Sequence, residues 1–353
     1  MRGDTGRRPA LDGVRAVAIL SVAAFHGALP GFDAGALGVD VFFVLSGYLI
    51  TGLLVNENDR TGRFRFAAFY LRRALRLYPA LLASLVLGAV VTHHYLHFTG
   101  HQLVRGALPA GLYLTDIGTW MHWRDVFVIY GGTWSLAIEE HFYLLWPITL
   151  WLLLRIGGRR AALTGAFALS AGTLLLAELT AHSPGPGLAP ISYSQPQQHA
   201  AGILLGCAIA LLPRLPAWTG RLATPALIAV ITVIVLTPAR TDINYYRIGQ
   251  PLLIASTAAL LIGLEYKSLA ARVLSLAPIR RIGLVSYGMY LYRSSVWLVV
   301  ESLVHVHGKL LVLIQIATTI LVADLSFRFY ETPIRNLQHR WIRRPDPLPA
   351  TAD

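Results

Sequence analysis

The sequence predicts an all-α polytopic membrane protein of about ten transmembrane helices with both termini cytoplasmic. Three observations carry that prediction. First, 55% of its 353 residues are hydrophobic, only 14% are charged, and the mean hydropathy is +0.56; a soluble domain carries about 25% charged residues. Second, apolar stretches recur along the whole chain, at 14–30, 37–55, 77–95, 134–154, 161–181, 199–213, 222–238, 249–265, 283–303 and 310–330. A spanning helix needs about 20 such residues. Third, Lys and Arg are dense in alternate connecting segments. With the N-terminus inside, the inside segments hold three in 1–13, six in 56–76, three in 155–160, two in 214–221 and four each in 266–282 and 331–353. That is 22 of the 30, against five outside, and Arg15, Arg293 and Arg328 fall within the stretches themselves. Cytoplasmic loops concentrate Lys and Arg, so this asymmetry sets the orientation.

Composition also narrows the partners. A net charge of +12 on a soluble chain would suggest nucleic acid. Here the distribution matters more than the sum, so a lipid bilayer is expected and no nucleic acid. The single cysteine, Cys207, permits no internal disulfide. The basic leader and first apolar stretch resemble a signal sequence, but further spans follow at once, so an uncleaved first helix is expected. Residues 1–335 form one membrane domain, and 336–353 a short, polar, cytoplasmic tail.

Each element has its own justification. The first stretch, LDGVRAVAILSVAAFH (11–26), places Arg15 and His26 eleven residues apart. At about 100° per residue they share a helix face, roughly 16 Å apart along the axis. Ionisable groups inside a membrane helix are costly and usually functional. The second stretch opens with GVDVFFVLSGYLIT (38–51), the third follows FYLRRALRLYPA (69–80), and the fourth opens with TWSLAIEEHFYLLWP (133–147). Residues 103–118 are moderately apolar, but a span there would invert every later loop. The segment 96–133 therefore reads as an outside loop with a short or re-entrant helix. His93, His94, His97 and His101 at its start fit no standard metal-ligand spacing, so no metal is expected. Trp120, Trp123 and Trp146 suit interfacial belts. The span at 199–213 is the shortest, and LSFRFYETPIR (325–335) closes the last.

These five motifs, in order and over residues 8–335, resemble the acyltransferase family 3 membrane enzymes. The resemblance implies ten core helices and transfer of an acyl group, here acetyl, from acyl-CoA to a hydroxyl of a sugar or other acceptor. It maps the family's first-helix Arg and His onto Arg15 and His26, and its Arg-x-x-Arg motif onto Arg73 and Arg76. Some members carry a further esterase-like domain, which is not expected here. The chain departs from the family pattern at His199, ahead of Gly202 and Gly206, where many members have Arg. It departs again at Arg293, where many have His. Both departures bear on acceptor choice more than on catalysis.

Depth gives an independent reading. The first helix runs outward, and the second and fourth run inward. His26, Asp40, Glu139 and Glu140 then share a layer a few ångströms deep near the outer surface. A His with a carboxylate in reach makes a general base, and Asp40, Glu139 and Glu140 are all candidates for that carboxylate. The adjacent glutamates point about 100° apart, so one at most faces a given site. Ser46 is a candidate acyl-carrying nucleophile; the Ser46–Gly47 pair reads rather as a close helix contact, so direct transfer is expected. Arg72, Arg73 and Arg76 share helix faces, and guanidinium forks suit CoA phosphates. On charge alone they read as orientation and lipid contacts; with the resemblance, they and Arg15 become the donor site. No permanently bound cofactor is expected, and acyl-CoA is a co-substrate. The reading is an integral membrane O-acyltransferase acting on a cell-envelope glycan or a glycosylated secondary metabolite. Its main rival is a proton-coupled transporter or glycan flippase built on the same charges, with a glycan-binding scaffold behind it.

Overall fold

A computed structural model describes residues 8–120, 130–180, 193 and 196–336. Trp123, Arg124 and the tail beyond Asn336 lie outside the described residues. Among these residues all regular structure is helical. Helix forms over every one of the ten apolar stretches. The elements are α1 (Pro9–His26), α2 (Gly38–Thr61), α3 (Phe66–Leu96), α4 (Gly100–Gly111), α5 (Thr115–Trp120), α6 (Trp134–Thr180) and α7 (Pro196–Leu211). They continue with α8 (Ala223–Leu236), α9 (Gln250–Gly263), α10 (Leu269–Leu274), α11 (Ala277–Leu303), α12 (Lys309–Ser326) and α13 (Thr332–Asn336).

Six described segments are long and apolar enough to cross a membrane: Pro9–His26, Gly35–Thr61, Phe66–Leu96, Gly131–Thr180, Ala217–Leu236 and Lys309–Asn336. The molecule is a multi-pass membrane protein. The 47-residue α6 is two helices in one element. A straight helix of that length would run about 70 Å, more than twice the bilayer core. The backbone leaves helical geometry at Gly157 and Gly158, and Gly158 takes φ +63°, where a Cβ would be strained. The halves then fold against each other: Leu153 of the first meets Gly165 of the second. α4, with 12 residues, is too short to span. Thr99 and Gln102 cap it reciprocally, each side chain accepting from the other's backbone N–H.

The centre of the bundle is α7. Its 16 residues are almost all buried, and it packs between α2 and both halves of α6. The contact with α2 is made backbone to backbone. A Cβ on Gly47 would lie 1.9 Å from the Ile203 carbonyl oxygen, and one on Gly206 would lie 2.0 Å from that of Val44. Small residues let membrane helices approach this closely, where dispersion replaces the hydrophobic effect as the driving force. Of the Ser46–Gly47 pair, Gly47 is therefore the packing residue, and Ser46 faces elsewhere. α1, α2, α3, the first half of α6 and α11 surround the internal space described next.

The α2–α7 contact predicts a mutational asymmetry. Gly206→Ala pushes a methyl into the Val44 backbone and is expected to cost about 1–3 kcal/mol. Gly172→Ala, on an open surface of α6, is expected to be near neutral. Thermal unfolding of both variants in the same detergent checks this; equal melting temperatures would contradict the contact.

Candidate active site

Inside the bundle lies a cavity of about 1090 Å³. It is lined along α2 from Val39 to Thr61, a rise of about 33 Å at 1.5 Å per residue. That matches the thickness of a bilayer core, about 30 Å. One end is ringed by Arg8, Asn56, Arg60 and Arg72, where α2 finishes and α3 begins. The other is closed by Val39, Phe42, Ser135 and Tyr290.

The middle of the cavity is polar, because three helices turn specific residues inward. Ser46 of α2 donates to Glu139 Oε1 of α6. Tyr143, one turn along α6, donates to the same oxygen at 2.8 Å. The Arg73 guanidinium of α3 lies 3.2 Å from the centre of the Tyr143 ring, and it donates to Glu140 Oε1 at 3.0 Å. The adjacent glutamates thus divide, as their angular separation requires. Glu139 lines the cavity, and Glu140 anchors Arg73.

Arg72 pairs with Glu57 at 3.5 Å. Arg15 and Arg76 also line the cavity, and among the described residues no carboxylate pairs with either. Guanidiniums without a carboxylate partner on a cavity wall are strong sites for phosphate. At the closed end, the Tyr290 hydroxyl donates to the Gly132 carbonyl at 2.5 Å and accepts from Ser135 Oγ at 2.5 Å.

The structure does not bring Asp40 to His26. Asp40 is fully buried among α2, α7 and α9. Its Oδ1 accepts from His199 Nδ1 at 2.7 Å and from Gln250 Nε2 at 2.9 Å. The other ring nitrogen of His199 donates to the Tyr193 carbonyl at 2.7 Å. Trp134 and Phe43 enclose it, with ring centres 5.0 and 5.1 Å away. Asp40 therefore belongs to a buried clamp outside the cavity walls and turns away from Glu139 and Ser46. His199, flagged as a departure from the family pattern, is its partner.

His26 ends α1 with its side chain exposed and its ring 5.1 Å from that of Phe25. None of Asp40, Glu139 and Glu140 hydrogen-bonds to it. The charges that bear on it are the guanidiniums of Arg293 and Arg240. Sequence reasoning missed Tyr143, Tyr290 and Gln250. Tyr143 had a usable signal, since it lies four residues after Glu139 on the same helix face. Gln250 had none.

A multi-helix membrane bundle with an arginine-lined internal cavity, built from the five motifs, defines a class. The chain belongs to the acyltransferase family 3: the family's acyltransferase-domain model matches residues 8–328. Among curated proteins it is similar to the peptidoglycan O-acetyltransferase OatA of Listeria monocytogenes, 30% identical over 349 residues, covering 93% of this chain and 56% of that protein. It is likewise 32% identical over 362 residues to the putative peptidoglycan O-acetyltransferase YrhL of Bacillus subtilis, covering 95% and 56%. The O-acetyltransferase OatA of Staphylococcus aureus is 31% identical over 346 residues, covering 93% and 57%. The chain thus spans a little over half the length of these relatives. No solved structure matches it.

The site geometry separates two kinds of polar residue. Asp40→Ala leaves the His199 ring without its carboxylate in a fully buried setting. Breaking such a pair costs about 3–5 kcal/mol, so this variant is expected to lose most of its folded yield. Ser46→Ala leaves Glu139 with Tyr143 and is expected to fold normally. Size-exclusion profiles and melting temperatures in detergent check both; a well-folded Asp40→Ala protein would contradict the clamp.

Proposed function

We propose that this protein is a membrane O-acetyltransferase that moves an acetyl group from acetyl-CoA to a hydroxyl of a cell-envelope glycan. One observation carries the reading: a cavity as long as a bilayer is thick, with the unpaired Arg15 and Arg76 on its wall. The charge asymmetry of the loops supports an orientation with the arginine-ringed end in the cytoplasm, where acyl-CoA is made. The donor's phosphates then sit on Arg15 and Arg76, with Arg72 and Arg73, each oriented by its glutamate, completing the site. The pantetheine arm runs up the cavity past Ser46 and Glu139 towards Tyr290 and Ser135. The names of the relatives favour a glycan acceptor such as peptidoglycan.

On this reading the acceptor approaches from the outer face, at the His26 end. His26 takes the proton from the acceptor hydroxyl. The hydroxyl oxygen attacks the thioester carbonyl, the C–S bond breaks, and the CoA thiolate leaves and recovers a proton. Transfer is direct. Ser46 already donates to Glu139 and is held by it, which suits a polar wall of the cavity better than an acyl carrier. A transporter built on the same charges would move glycan without consuming thioester.

Two results test the reading. Labelled acetyl-CoA supplied to inside-out vesicles is expected to yield labelled O-acetyl glycan. Replacing both Arg73 and Arg76 with Gln is expected to raise the KM for acetyl-CoA about tenfold or more, with little change for the acceptor, because each charge-assisted hydrogen bond contributes about 1.5–3 kcal/mol. Binding of CoA to the purified variant in neutral detergent excludes lipid effects; unchanged affinity there would refute the donor site.

His26 gives a separate test. His26→Ala is expected to abolish transfer while the protein still inserts and binds CoA. Turnover near that of the wild type would remove His26 as the base.

A further inference from the structure

Beyond the cavity's closed end lies a second pair of guanidiniums that the donor site does not use. Arg293 sits on α11 one turn past Tyr290. Its guanidinium lies 5.5 Å from the centre of the Trp297 ring. Its Nη2 atom comes within 3.8 Å of where a Cβ on Gly132 would stand. Arg293 Nε is shut off from solvent and has no hydrogen-bond partner. Arg240 reaches the same region from the segment after α8. Its guanidinium lies 5.2 Å from the Phe25 ring and 5.3 Å from the Tyr193 ring. The charges of both arginines bear on His26. Among the described residues no carboxylate pairs with either arginine.

An arginine shut inside a membrane bundle without a counterion is costly. The cost is offset when a ligand brings the negative charge. The aromatic rings hold both guanidinium planes in place, so little side-chain freedom is lost on binding. A planar fork matches a carboxylate.

We propose that Arg293 and Arg240 bind an anionic group of the acceptor, so that the enzyme selects glycans carrying a carboxylate near the acylated hydroxyl. This rests on the transferase reading and deepens it. The acid group docks against the arginines, and the neighbouring hydroxyl is then held at His26, next to the end of the cavity where the acetyl group arrives. The position of Arg293 beside Gly132 and one turn from Tyr290 puts the site against the end of the cavity. A lipid headgroup, which has the same charge, would sit on the bundle's perimeter.

The test is equilibrium binding to the intact purified protein in neutral detergent. The probes are the disaccharide N-acetylglucosaminyl-N-acetylmuramic acid, with its free lactyl carboxylate, and the methyl amide of the same disaccharide. The acid is expected to bind about tenfold tighter than the amide, the effect of one charge-assisted hydrogen-bonded pair. Arg293→Gln and Arg240→Gln are each expected to erase most of that preference while leaving amide binding unchanged. Arg293→Lys is expected to keep part of it, since it retains the charge without the fork. Equal binding of acid and amide to the wild type would overturn the proposal, as would a loss in Arg293→Gln that falls equally on both. Arg293-dependent binding of phosphatidylglycerol with no acid preference would assign the site to lipid and also overturn it. Acetyl transfer measured with both disaccharides keeps the two readings apart. Acid preference in binding without any transfer would sink the transferase reading alone. Transfer to acid and amide with equal KM would sink this one alone.

Discussion

The polar network that joins α3, α6 and α2 is the interaction on which the site depends. Arg73 donates to Glu140 and covers the Tyr143 ring; Tyr143 and Ser46 both donate to Glu139. Each of these groups would be expensive alone in an apolar interior. Together they pair most of their polar atoms, and so three helices are joined around a cavity. The network also uses up the two most reactive-looking carboxylates. Glu140 is committed to Arg73, and Glu139 to two hydroxyls. Among the described residues of the cavity wall, Arg15, Arg60, Arg76 and Arg335 have no carboxylate partner, so the wall carries free positive charge.

The helices were legible because bilayer thickness is a strict constraint. Every apolar stretch became helix, and even the short α7 was found, though not its place at the centre. Its glycines explain that place: Gly206 lies against Val44 and Gly47 against Ile203 at backbone distance, so α7 can be enclosed where a bulkier helix could not. The site was legible in part. The arginines of α3 and the split between Glu139 and Glu140 followed from spacing and helix angle. The partner of Asp40 did not. Depth fixes a residue's layer but not its direction around the helix. Asp40 and Ser46 are six residues apart, hence about 120° apart around α2. Ser46 turns to the cavity, and Asp40 turns to α7 and α9. Which neighbour waits on each side is a question of tertiary packing between residues 159 and 210 positions apart.

The Asp40–His199–Gln250 clamp shows why a polar residue at membrane depth is an ambiguous signal. Asp40 Oδ1, His199 and Gln250 are joined by hydrogen bonds, Trp134 and Phe43 enclose the imidazole, and none of the three residues lines the cavity. Such a cluster fixes the register of α2 against α7 and α9. His26, at the end of α1, has by contrast no carboxylate partner among the described residues. A buried ion held by a counterion marks a structural polar group, and a charged group with no counterion is open to a ligand of opposite charge.

That criterion sorts the arginines as well. Arg72 and Arg73 have carboxylate partners, at Glu57 and Glu140. Among the described residues Arg15 and Arg76 have none and line the cavity, and Arg293 and Arg240 have none and lie beyond its other end. Inside the bundle, positive charge without a counterion thus flanks Ser46, Glu139 and Tyr290 on both sides. Two anionic reactants that must meet only at their reacting atoms would be held in this way. Charge at both ends draws each reactant to its own side, while the stretch between them, lined by the hydroxyls of Ser46 and Tyr143 around Glu139, leaves room for a thioester and an uncharged hydroxyl. On the proposed reading, His26 stands beyond that stretch on the acceptor's side, and the arginines that hold the acceptor's acid group set its hydroxyl against the imidazole.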